Sequence, residues 1–125
     1  QPNASSWSYL SDKNSKTAFT PVNATQVLET LMSKVPAFRW KYMGTGDDSW
    51  HMGPMAQDVF EAFGLGESPT MIGTSDMDGI LMSAVQGMRS KILELSGRVE
   101  TYENMLQDQR QLLEEQRRQL QSQQV

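Results

Sequence analysis

Cysteine is absent from the 125 residues, so disulfide staples, thiolate metal sites and cysteine nucleophiles are excluded and the redox compartment stays open. His51 is the single histidine, too few for a histidine-rich metal centre, and neither metal nor cofactor is expected. Positive charge is scarce: 11 Lys and Arg face 15 Asp and Glu, for a net charge of −4. The imbalance sits in front, with nine acids against five bases up to Asp78 and six against six beyond it. No basic footprint for nucleic acid is left. No apolar run approaches the roughly 18 residues of a membrane span, and no charged stretch leads into an apolar one, so no anchor or signal peptide is read. The polar opening at Gln1 is read as continuing an upstream segment.

What is present suffices for one domain with a modest core and a tail of different composition, Gln-, Arg-, Glu- and Leu-rich from Leu106 onward. The first ten residues read as an extended arm on which Trp7 and Tyr9 dock at period two. After Pro21, Val27, Leu28, Leu31, Met32 and Val35 fall at helical spacing, with Asn23 as N-cap and Pro36 as stop. Phe38, Trp40 and Tyr42 then alternate with Arg39 and Lys41 before a Gly- and Asp-rich turn and "WHMGPMA", which predicts a hairpin with one buried aromatic face. Gly53 and Pro54 place its second strand at an edge or an end. Val59, Phe60 and Phe63 mark a short helix that Gly64 terminates. A polar loop leads to Ser75 or Asp76 as N-cap of a long helix without proline.

That last helix has a countable register. Val85, Ile92, Val99, Leu106, Leu113 and Leu120 fall at heptad position a, all apolar; Leu81, Met88, Leu95, Tyr102, Gln109, Gln116 and Gln123 fall at d. A strict seven-residue repeat over this length implies a left-handed coiled coil, since a lone amphipathic helix drifts at 3.6 residues per turn. The partner is expected to be another copy of the chain. The glutamines at d weaken the far half but favour one register and one oligomer number. Heptads alone leave dimer and trimer open.

The candidate chemistry is sparse. In "SDKNSK", Ser11 is followed five residues on by Lys16, with Lys13 between them. A serine hydroxyl is a poor nucleophile at neutral pH, and a lysine serves as its base only if burial or positive charge favours the neutral amine. The plainer reading is a solvated turn capped by Ser11 or Asp12. Five residues of extended chain span roughly 17 Å, far beyond the reach of proton transfer. A working pair therefore requires a tight turn, or a lysine borrowed from a neighbouring chain. His51 either orients a nucleophile or simply ends a strand beside Trp50. The acidic pairs Asp47-Asp48 and Asp76-Asp78 lack the alternating ligands of a calcium loop and read as turns and caps.

Taken in order, "SDKNSK", an amphipathic helix, "FRWKY", "HMGPMAQDVFEAFGLG", a polar loop and a coiled-coil helix resemble the C-terminal intramolecular chaperone domain of phage endosialidases, tailspikes and tail fibres. Related self-cleaving domains occur in transcription factors of the myelin regulatory factor type. The resemblance runs from Ser11 to about Gln107 and rests on Ser-Asp-x-x-x-Lys followed by His-x-Gly-x-x-Ala-Gln-Asp. It implies a homotrimer that assists folding of an upstream fibre segment of the same polypeptide, and then releases itself by cutting Leu10-Ser11. In that reading Ser11 is the nucleophile, Lys16 its general base and His51 a supporting catalytic residue. Asp12 shapes the turn, and Gln57 and Asp58 the fold around it. Asn14, Ser15 and Pro54 depart from the family pattern. The location implied is a phage virion, on a tail fibre or spike, or a prophage product.

The expected fold is α+β: a client-side segment over 1–10, a self-cleaving core over 11–78 with short helices and a hairpin, and a trimeric coiled-coil helix over 79–125. The trimer interface is expected at Leu81, Val85, Met88, Ile92, Leu95, Val99, Tyr102, Leu106, Leu113 and Leu120. A non-cleaving trimerisation cap and a self-cleaving switch of a regulatory protein stay open beside this reading.

Overall fold

The computed structural model describes residues 8–124, and Trp7, expected to dock beside Tyr9, lies outside them. The architecture is α+β: α1 (Ala24–Lys34), β1 (Ala37–Trp40), β2 (His51–Pro54), α2 (Ala56–Phe63) and α3 (Thr74–Ser122). Asn23 caps α1 as its sequence position predicts, its side chain accepting from the Gln26 amide at 3.1 Å. The Val35 amide closes the last turn on the Leu31 carbonyl, and Pro36 prevents another. Gly64 ends α2 in the left-handed region at φ 63°, which costs a glycine nothing, and donates to the Phe60 carbonyl.

The core is made by the three helices. Leu31, Val59, Ile80 and Ala84 are buried, with Val27, Leu28, Val35, Phe63, Ile72 and Met77 packed around them. Met32, grouped with the apolar face of α1 by spacing, is exposed instead, because its neighbour Leu31 takes the inward position.

The hairpin differs from expectation. β1 and β2 pair antiparallel, from Ala37 opposite Pro54 to Trp40 opposite His51. The strand stops at Trp40, and its aromatic face is not buried: Phe38, Tyr42 and Trp50 are all exposed, and only Trp40 is half-buried. A two-stranded sheet brings no second layer of its own, and no strand residue joins the helical core.

α3 starts earlier than its expected caps. The Met77 amide bonds the Gly73 carbonyl, so Ser75 and Asp76 lie within the first turn, where an acidic side chain suits the helix dipole. Ile80, Ala84 and Gly87, at spacings of four and three, form a buried stripe against the core. At Gly87 the approach is closest: a β-carbon there would sit 2.4 Å from the Ala24 carbonyl oxygen and 3.1 Å from Leu28 Cβ. Leu81, Val85 and Met88, one position further round, are exposed. The first turns of α3 thus present two adjacent stripes, one used by the chain itself and one left open.

The chain divides into two compact units, the first ending at Met88 and the second beginning at Arg89. The division expected after Asp78 falls inside α3, whose Ile80 and Ala84 belong to the core of the first unit. In the second unit every described residue is exposed. Arg98 and Glu94 pair at 2.9 Å with spacing of four, worth about 0.3–0.5 kcal/mol at such exposure. The ten apolar heptad positions from Leu81 to Leu120 are 47–64% exposed, and nothing among the described residues covers them.

Candidate active site

Four residues after the described chain begins, Asp12 opens a single 3-10 turn over Lys13–Ser15. Its side chain accepts from the Asn14 amide at 2.9 Å, its carbonyl accepts from the Ser15 amide at 3.0 Å, and the Lys16 amide bonds the Lys13 carbonyl. The turn folds Lys16 back, and its Nζ donates to Ser11 Oγ at 2.7 Å. The turn is as tight as a pair within one chain requires. Past Lys16, Ala18 takes φ 55°, the one positive value at a non-glycine residue among those described, and costs roughly 1–2 kcal/mol. Thr20 Oγ1 donates to its carbonyl at 3.1 Å and holds the bend.

Ser11 and Lys16 share a cleft of about 450 Å³ whose other walls include Tyr9, Leu10, Asp78 and Met82. Tyr9 OH donates to Asp78 Oδ2 at 3.3 Å, tying the segment before Ser11 to the second turn of α3. Both Ser11 and Lys16 are exposed in the single chain. A neutral amine able to accept the serine proton is favoured by burial, and one chain alone does not supply it.

His51 is placed differently. It stacks on Trp40 at 4.8 Å between ring centroids and meets Tyr42 edge-on at 5.2 Å, and it does not line the Ser11–Lys16 cleft. His51 Nε2 and Trp40 Nε1 are buried without a hydrogen-bond partner among the described residues. Gln57 lines a separate hollow with Trp40 and Tyr42, and Asp58 sits half-buried in the first turn of α2. The hairpin loop carries its own electrostatics: Arg39 and Lys41 lie 4.9 and 4.6 Å from the Trp50 ring, and Lys41 pairs with Asp48 at 2.7 Å. The Ser49 hydroxyl and amide hold the Asp47 carboxyl below the ordinary aspartate range, with His51 adding the smallest contribution. No group of three potential metal ligands occurs among the described residues.

The seryl-lysyl pair was singled out by the family resemblance and not by its spacing; Asp78 and Met82 were signalled by neither. Asp78 lies 69 residues from the tyrosine it holds, and in the sequence it reads as one more helix-start acid. Its only local signal is the position one turn after Ser75, on the face that carries Ser75 and Met82, which acquires meaning only when another segment lies there.

Residues 11–64 match the family described as chaperone of endosialidase. The resemblance carried by "SDKNSK" and "HMGPMAQD" therefore holds over this segment. The chaperone-of-endosialidase segment begins at Ser11 itself, the residue after the expected cut, and ends with α2 and its glycine cap. It leaves out α3, which supplies Ile80 and Ala84 to the core and Asp78 to the cleft. No curated protein and no solved structure matches the chain. No helix among the described residues is long and apolar enough to cross a membrane.

Proposed function

We propose that the chain is a self-cleaving intramolecular chaperone: three copies assemble through the α3 seam, assist folding of an upstream fibre or spike segment, and cut themselves free at Leu10-Ser11. The observation that carries this reading is the 2.7 Å contact between Lys16 Nζ and Ser11 Oγ at the first residue of the family match. In the neutral form Lys16 takes the Ser11 hydroxyl proton as Oγ attacks the Leu10 carbonyl carbon. The tetrahedral intermediate collapses with loss of the Ser11 nitrogen, which receives the proton from Lys16 and becomes a free amine. Leu10 is then held as an ester on Oγ. Water hydrolyses the ester, leaving a Leu10 carboxylate and restoring the Ser11 hydroxyl. One peptide bond and one water are consumed, and the enzyme acts once. His51, stacked in the hairpin, supports this fold rather than touching the reacting atoms.

Three-stranded assembly is supported by the width of the open stripe. Met105 and Leu112, at position g, are also exposed and broaden it beyond a strict a/d seam. A virion location on a phage tail follows from the same family match and belongs to the same proposal.

A second reading, a cap that holds three chains in register without cutting, is favoured by the exposure of Ser11 and Lys16. Intact mass of a protein carrying a folded upstream tag separates the two. Wild type is expected to appear as two fragments divided at Leu10-Ser11 and Ser11→Ala as one uncut chain. Wild type that assembles fully yet stays uncut establishes the cap. Assembly is tested with the double variant Ile92→Asp and Val99→Asp, which sets charges in the seam and is expected to yield monomers in analytical ultracentrifugation with cleavage lost. Cleavage by those monomers would show that no neighbouring chain completes the site.

A further inference from the structure

Resting on the self-cleaving reading, we infer that α3 positions the segment to be cut, through a hydrogen bond from Tyr9 to Asp78, so that recognition lies two residues before the scissile bond. Tyr9 OH reaches Asp78 Oδ2 at 3.3 Å across 69 residues of sequence, a side-chain bond that joins the upstream segment to the body. The same cleft contains Leu10, Ser11 and Lys16 on one side and Asp78, Gly79 and Met82 on the other. The tyrosine is thus held on α3 while Ser11, two residues later, is held by Lys16. Leu10 and its carbonyl lie between the two anchors.

Two anchored ends restrict the path of the peptide between them, and attack of Oγ on a carbonyl depends steeply on such restriction. Asp78 is a positioning residue in this scheme; it touches neither the reacting atoms nor the base. The side chain at Leu10 is 78% exposed and meets no closed pocket, so its shape is not read. The phenolic hydroxyl is what a carboxylate at position 78 recognises: phenylalanine would keep the ring and lose the bond. Asp78 also sits within the helix that carries the seam, three residues before Leu81, so the positioning group and the first seam residue share one helical turn. The match to the chaperone-of-endosialidase family stops at residue 64, so this half of the cleft is supplied from outside the matched segment.

The test is a double-mutant cycle on the first-order cleavage rate with Tyr9→Phe, Asp78→Ala and both, in the tagged full chain. Each single variant is expected to cut about fivefold to tenfold more slowly, and the double variant no more slowly than either, because the two changes remove one charge-assisted bond. In the uncut Ser11→Ala protein, the NMR order parameter of the Leu10 backbone amide is expected to fall with Asp78→Ala while those of α1 stay unchanged, which a general loss of structure would not allow. Wild-type rates in both single variants, or losses that multiply in the double variant, overturn the assignment. An unchanged Leu10 order parameter in Asp78→Ala overturns it equally. Should the wild-type chain never cut, the self-cleaving reading fails, and the relaxation measurement still decides the anchor by itself.

Discussion

Lys16→Met is expected to slow cleavage at Leu10-Ser11 by about a hundredfold to ten-thousandfold, the range a general base contributes. The substitution keeps the length of the side chain and removes the group that takes the Ser11 proton. Because Lys16 is exposed and joins no core cluster, folding and assembly should be untouched, so a fall in rate reports chemistry. Lys16→Arg makes the test sharper. A guanidinium can reach Ser11 Oγ and donate to it as the amine now does at 2.7 Å, but it does not deprotonate in proteins. If Lys16 acts as base, arginine stays as slow as methionine. Recovery with arginine would mean that positive charge or a donated bond is what matters, and the base would have to be sought elsewhere. The measurement is the rate of fragment appearance by mass spectrometry on the tagged chain.

Gly87→Ala is expected to destabilise the first unit by about 1–3 kcal/mol, although alanine is the better helix former by about 1 kcal/mol. The added methyl would lie 2.4 Å from the Ala24 oxygen and 2.9 Å from its carbonyl carbon, and backbone at the start of α1 cannot step aside as a side chain could. Relief requires α1 and α3 to separate, which opens the contact between Leu28, Leu31, Ile80 and Ala84. Gly97→Ala provides the contrast. Nothing in the chain lies within 4 Å of a β-carbon there, so the same exchange should gain the helix propensity and stabilise by about 1 kcal/mol. Denaturant unfolding of the uncut Ser11→Ala protein, monitored by circular dichroism, checks both. Tolerance of alanine at Gly87 without loss would show that the helices do not meet as described.

Local chemistry was the legible part of this protein. Asn23, Pro36 and Gly64 announce helix ends because each acts on its own backbone within a few residues. The heptad period is visible because it repeats, and its side chains stay uncovered in the single chain as a seam awaiting a partner would. The buried stripe of Ile80, Ala84 and Gly87 escaped notice for the opposite reason. It is short, two of its three residues are small, and it lies beside a much stronger apolar pattern. The aromatic alternation of the hairpin predicted burial that a two-stranded sheet with no covering layer does not provide.

The candidate site divides in the same way. Chain order alone carries the residue types at Ser11 and Lys16, the motif spacing to His51 and the seven-residue apolar repeat along α3. Only the tertiary structure decided that a 3-10 turn capped by Asp12 closes the five-residue gap to 2.7 Å, that His51 stacks on Trp40, and that Tyr9 meets Asp78. The physical reason is range. Caps, turns and periods are governed by neighbours along the chain, whereas the walls of a cleft are chosen by which surfaces the core brings together.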